Sequence, residues 1–178
     1  MHPRLEDILA YNAAVRADLA NVIASTPAEA FTHHPPGGGW CGAELVFHMG
    51  RTEGATTKML EGLFAKALAD GLAADTETTS LVHSLDYLRV PDRHGRRFEA
   101  PERLRPPADA DLASSWESLR TVRERTDRAV ASEDGLDLTK ISAPHPIFGP
   151  INGYQWILFI GLHEERHLNQ LKETLNGA

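Results

Sequence analysis

Cysteine is almost absent from this chain. Cys41 is the only one among 178 residues, so no internal disulfide can form and a disulfide-stapled secreted scaffold is excluded. Long apolar runs are missing too, and nothing approaches the roughly 18 residues of a membrane span. Positive charge is not in excess: 18 Lys and Arg against 25 Asp and Glu give a net charge of −7 with His neutral. That balance argues against sequence-independent binding to nucleic acid or to an anionic membrane surface. The start, MHPRLEDILAYN, is charged and amphipathic where a leader has a basic start and an apolar run. The expectation is a soluble cytoplasmic protein.

What is present is ordinary globular material, 42% hydrophobic and 24% charged, which indicates neither disorder nor a coiled coil. The length suits one domain, expected over residues 1–178, and no repeat or linker interrupts it. Nine histidines are a modest excess, and their positions carry more information than their number.

Apolar periodicity predicts four helices. The first covers 4–24, with Leu5, Ile8, Leu9, Val15, Leu19, Val22 and Ile23 on one stripe. Asn12 falls beside that stripe and reads as a buried amide bonded to backbone or water. Pro27 and the run HHPPGGG make 25–39 a loop, in which His33 and His34 read as solvated. The second helix covers 42–69. Cys41 and Glu44 have capping-box spacing, with Cys a weaker acceptor than Ser or Thr. Gly50, Gly54 and Gly62 each cost about 1 kcal/mol against Ala, which points to close approach of another backbone or a ligand. A short helix is expected at 76–88.

The segment 89–108 holds Arg89, Arg93, Arg96, Arg97, Arg103 and Arg105 with four prolines. It reads as a long crossover loop, a candidate lid or dimer contact. The interleaved Asp92, Glu99 and Glu102 favour a solvated or salt-bridged loop over an anion site. The third helix runs from Asp109 to Ala131, and a turn follows at Asp134-Gly135. Residues 139–151 are held extended by Pro144, Pro146 and Pro150. The fourth helix, Asn152 to Leu175, opens on a second capping-box pair, Asn152 and Gln155. The fold class is all-α: a four-helix bundle with a long crossover between helices 2 and 3, an architecture that builds metal sites from facing helices.

His163 and His167 lie one turn apart on the fourth helix and therefore share a face. The stretch His-Glu-Glu-Arg-His matches the zinc metalloprotease pattern. That reading needs a further ligand after the motif, and only eleven residues remain, with Glu173 the sole acidic candidate. A di-iron reading needs a Glu three residues before a His on two helices. Glu164 and His167 supply one such pair, but Leu45 precedes His48, and Glu44 stands at the wrong spacing. The mononuclear reading combines His48 of the second helix with His163 and His167. Three neutral imidazoles suit Zn, Ni or Fe(II) and leave a coordination position for water or substrate. The competing reading is three helix histidines with ordinary packing or solvent roles.

Trp40, Glu44 and His48, then His145, Pro146 and Gly149 leading into His163-x-x-Arg166-His167-x-x-Gln170, resemble the DinB-like superfamily over nearly the whole chain. The most specific portion is 145–171. The resemblance implies an up-down-down-up bundle, a three-His site carried by His48, His163 and His167, often with nickel or zinc, and a homodimer. Arg166 and Gln170 match the pattern in supporting roles. Cys41 departs from it, because many relatives have Ser there.

Characterised branches of the superfamily include transferases and isomerases that use bacillithiol, mycothiol or glutathione, and other members are classed as metal-dependent hydrolases by assignment. The implied function is thus a metal-dependent enzyme acting on small molecules in detoxification or stress metabolism, as a thiol S-transferase or a hydrolase. A low-molecular-weight thiol is a cosubstrate candidate. The alternative is a non-catalytic metal-binding or structural bundle dimer. Glu164 lies about 100° from His163 and 60° from His167 around the helix, so it either borders the site or faces solvent, and no base is assigned.

Overall fold

The computed structural model describes residues 1–86, 99–146 and 148–177. Its helices are α1 (Pro3–Ser25), α2 (Gly42–Ala69), α3 (Leu112–Ala131) and α4 (Gly153–Asn176). A hairpin of β1 (Ser142–His145) and β2 (Gly149–Asn152) leads into α4.

Contacts between the helices fix their directions. Asn12 reaches Ile157 and Arg16 reaches Glu164, so α1 and α4 run the same way. Glu53 meets Arg123 and Thr57 meets Thr126, so α2 and α3 also run the same way. The start of α2 at Gly42 lies against Leu171 near the end of α4, while Met49 and Thr56 share a cavity wall with Phe159 and His163. The order is therefore up-down-down-up. Parallel neighbours cannot be joined by a tight turn, and the long crossover between α2 and α3 follows from this.

Both capping boxes form. Asn152 accepts from the Gln155 amide and Gln155 accepts from the Asn152 amide, each at 3.0 Å. At α2, Glu44 accepts from the Cys41 amide at 2.8 Å, and the sulfur side is the weaker half. Helix α3 begins at Leu112, later than Asp109, because the Asp111 carboxylate takes the Ser114 amide as an N-cap.

Two expectations need correction, and a third, the extended stretch 139–151, holds over most of its length as a hairpin. The helix expected at 76–88 does not form over its described part. Residues 76–81 are irregular and 82–85 make a turn. Their polar groups serve tertiary partners instead: Asp75 accepts from the Glu77 amide and from Arg4, and Thr79 gives its carbonyl to Arg4. Residues 87–98, with Arg89, Asp92, Arg93, Arg96 and Arg97, lie outside the described residues.

The stretch 139–151 is a 3-10 turn at Leu138–Lys140 followed by the hairpin. Pro144 pairs opposite Pro150, which a two-stranded ribbon with two open edges accommodates. Finally, the glycines expected to mark close approach do not do so. A Cβ at Gly50 or Gly54 meets Leu119 or Val122 at ordinary distances, and one at Gly62 meets nothing within 4 Å. The tightest glycine is Gly161, where a Cβ would lie 2.1 Å from Asn12 Oδ1, followed by Gly42, where one would lie 2.7 Å from a Phe31 ring carbon.

The apolar core falls into two clusters. One gathers Leu19, Phe31, Leu45, Val46, Met49, Leu119, Leu168 and Leu171. The other includes Leu5, Ile8, Leu60, Phe64, Val130, Tyr154 and Ile157. Between them all four helices contribute a polar residue to one buried layer. Arg16 is bidentate to Glu164 (2.6 and 2.9 Å) and reaches Glu53 at 2.9 Å. Arg123 is bidentate to Glu53 (2.7 and 3.2 Å) and reaches Glu164 at 2.9 Å. Each arginine also donates to the other's helix, Arg16 to the Leu119 carbonyl and Arg123 to that of Asn12. The layer is neutral overall, which is how four buried charges are tolerated. Among the described residues no helix is long and apolar enough to cross a membrane.

Candidate metal centre

The inward stripe of α4 carries His167 on the level of Leu168, with His163 one turn earlier. His48 faces them from α2, and the two helices run antiparallel. The ring centroids of His48 lie 5.1 Å from His163 and 4.8 Å from His167, and those of His163 and His167 lie 4.5 Å apart. One nitrogen from each ring falls within 4.8 Å of the others. His48 and His167 are buried and His163 is partly so. The three residues singled out in the sequence are thus brought to one point.

Two of the rings are held by their other nitrogen. His48 Nδ1 donates to the Leu104 carbonyl at 2.8 Å, and His167 Nδ1 donates to Gln170 Oε1 at 3.0 Å. A carbonyl oxygen can only accept, so both rings carry their proton on Nδ1 and present a bare Nε2. Fixing a tautomer through an outer hydrogen bond is the usual arrangement behind a ligating histidine. Gln170 was singled out in the sequence without a definite role, and this is its contact. No sequence signal marks Leu104, because any residue there offers a carbonyl.

All three imidazoles are held neutral. Burial lowers His48, with the Leu104 bond opposing and the Arg166 charge adding to the fall. Burial takes His167 down to about 3, with His48 and Arg166 adding and Gln170 opposing. His163 is pushed well below the ordinary range by burial and then by its histidine neighbours and Arg166. The donor set is therefore ready without losing protons, and it fits a divalent transition ion. Arg166 is exposed and acts on the site by charge alone among its described contacts.

Aromatic rings wall the cluster. Trp40 lies 4.7 Å from His48, and Phe159 lies 5.6 Å from His163. Behind Phe159, His145 stacks on Phe148 at 4.2 Å and touches Trp156 and Phe159. Burial brings His145 down to about 4. A cavity of about 10 Å³ separates the cluster from the charged layer and is lined by Thr52, Glu53, His163 and Glu164 among others.

Glu164 faces inward, and both of its carboxylate oxygens are taken by Arg16 and Arg123. It neither faces solvent nor offers a base. Glu44 serves the α2 cap. In the described part of the crossover, Arg105 pairs with Glu99 at 3.0 Å, as a salt-bridged loop should.

A sequence model described as the DinB superfamily matches residues 11–171. The uncharacterized protein YuaE of Bacillus subtilis (strain 168) is 30% identical over 159 residues, spanning 89% of this chain and 91% of its own length. The crystal structure of TT2238, described as a four-helix bundle protein, aligns with a TM-score of 0.64 over 95% of this chain and 98% of that one. At 18% identity this last likeness establishes the fold alone.

Proposed function

The chain belongs to the DinB superfamily, and from that premise we propose that it is a metal-dependent enzyme acting on small molecules, by thiol transfer or hydrolysis. The observation that carries the reading is the meeting of three neutral imidazoles, two of them anchored through Nδ1, with donor atoms within 4.8 Å of one another. His48, His163 and His167 would hold the ion, with nickel or zinc best suited to three imidazoles and iron(II) next. The chemistry such an ion supplies is Lewis-acid activation of a thiol or a water into a nucleophile at neutral pH.

The chain's own residues have separate duties in this reading. Leu104 and Gln170 hold two rings in place. Trp40 and Phe159 shield the cluster from bulk water, which strengthens every electrostatic interaction inside it. Burial keeps the imidazoles unprotonated and Arg166, at the margin, adds its charge to that effect and favours an anionic group arriving there. Glu53 and Glu164 are fully engaged by arginine, so the proton released by a nucleophile passes to solvent or cosubstrate.

The test is turnover of a low-molecular-weight thiol with an electrophile, and of hydrolysable esters and amides, by metal-loaded protein. Activity should depend on added metal and vanish in His163→Ala. Turnover that survives that substitution contradicts the proposal. Metal uptake without turnover of any such substrate favours a non-catalytic metal-binding bundle.

A further inference from the structure

The three-histidine cluster leaves a second group of donors unexplained at the start of α2. His34 comes from the loop before the helix, Cys41 is the N-cap, and Glu44 sits in the first turn. An imidazole nitrogen, the thiol sulfur and a carboxylate oxygen all fall within 4.8 Å of one another.

Several features set this group apart from a plain helix cap. Ser, Thr, Asp or Asn would cap α2 better, since a thiol is a poor acceptor, so a sulfur here weakens the helix start. Glu44 is only 6% exposed. Among the described residues the only basic side chain within 4 Å of it is the imidazole of His34, whose Nδ1 lies 3.6 Å from Oε2. The Cys41 amide donates to that carboxylate, and the Cys41 thiol lies against it as well. A buried carboxylate without Lys or Arg is a charge looking for a cation. The loop also folds to bring His34 back: Gly38 and Gly39 adopt positive φ values of 74° and 123°, and His34 Nδ1 contacts the Gly39 carbonyl at 2.9 Å.

We propose that His34, Cys41 and Glu44 form a second metal site, of the zinc class, independent of the three-histidine cluster. One nitrogen, one sulfur and one oxygen match zinc's borderline softness, and three protein donors leave one position for water. Thiolate and carboxylate together balance the dication; burial and the neighbouring Glu44 charge push the free Cys41 thiol up, so the ion itself must displace the proton. On coordination the Sγ–H bond breaks, the sulfur keeps the electron pair and the proton goes to solvent. Glu44 stands one turn before His48, so α2 would carry two centres in succession.

The experiment uses the full chain, stripped of metal by a chelator and titrated with Co²⁺ as a spectroscopic stand-in and then with Zn²⁺. Only a cobalt–sulfur bond gives an intense charge-transfer band in the near ultraviolet, and Cys41 is the sole thiol. Wild type should show the band and bind two equivalents of Zn²⁺. The double variant His48→Ala/His163→Ala should keep the band at one equivalent. Cys41→Ser should lose the band and one equivalent, while His34→Ala should weaken the cobalt affinity at least tenfold.

Serine improves the cap, so Cys41→Ser stays folded by circular dichroism, and its loss of metal cannot be put down to unfolding. Absence of the band in wild type overturns the proposal, as does its survival in Cys41→Ser or an unchanged affinity in His34→Ala. Wild type that shows the band but binds only one equivalent, with no loss in the double histidine variant, upholds this site while the three-histidine reading fails.

Discussion

The carbonyl of Leu104 and Nδ1 of His48 are joined at 2.8 Å across 56 residues of chain. The crossover therefore does more than connect two parallel helices, because it orients one ring of the candidate centre. His167 receives the same service from Gln170, one turn along its own helix.

Removing the Gln170 acceptor tests that service. Gln170→Leu should lower zinc or nickel affinity about 10–100-fold, the usual cost of losing a histidine's outer partner. Gln170→Glu, which still accepts from Nδ1, should restore most of it. Competition titration against a colorimetric chelator reads both, and equal affinity in wild type and Gln170→Leu would show that the contact is incidental.

The charged layer should matter for stability, with metal binding largely untouched. Glu164→Leu leaves Arg16 and Arg123 facing Glu53 alone, and breaking a buried network this way costs about 3–5 kcal/mol. Urea unfolding of Glu164→Leu and of the double variant Arg16→Met/Glu164→Leu should show the double losing less than the sum of the singles. A single variant as stable as wild type would contradict the network's role. Glu164→Gln should keep metal affinity within a few fold, which separates Glu164 from the base of a zinc protease.

Gly161 is needed because Asn12 lies against it. Gly161→Ala puts a methyl 2.1 Å from Asn12 Oδ1, and overpacking of this kind costs about 1–3 kcal/mol. Asn12→Ala alone loses the bond from Nδ2 to the Ile157 carbonyl. Combined, the two changes should cost less than their sum in thermal denaturation, because Asn12→Ala removes the atoms that the new methyl would meet.

Acid should weaken the fold in a window set by the buried histidines. His145 has its pKa lowered to about 4 in the folded chain, against about 6.5 unfolded. The unfolded state then binds more protons, so its contribution to stability is full above about 6.5, falls with falling pH and levels off below about 4. His48, His163 and His167 act in the same direction. Comparing urea midpoints at neutral and mildly acidic pH, His145→Phe should flatten the dependence by roughly 1–3 kcal/mol. An unchanged slope would place His145 outside the linkage.

Much of this was legible in the sequence, and the rest was not, for physical reasons. Helical periods exposed all four helices, and capping-box pairs located the starts of α2 and α4, because these are local signals. The phase of Glu164 was readable too: it follows Ile157 by seven residues and Ile160 by four, and precedes Leu168 by four, so it belongs to the inward stripe. Measured only against His163 and His167, it looked marginal. Its arginine partners come from α1 and α3, and no local pattern announces a pairing across 148 residues. The expected helix at 76–88 failed for the same reason, since Arg4 supplies the competing bonds. The close approach assigned to Gly50, Gly54 and Gly62 rested on helix propensity, whereas the tightest contact falls at Gly161, which only the packing of α1 on α4 reveals.

The most direct test of the three-histidine centre is metal stoichiometry in the Cys41→Ser background, where the second site cannot contribute. Protein stripped by chelator and then dialysed against zinc or nickel should bind one equivalent, and His48→Ala in that background should bind none. Less than about a tenth of an equivalent in the parent, or equal uptake in the two proteins, would contradict the account.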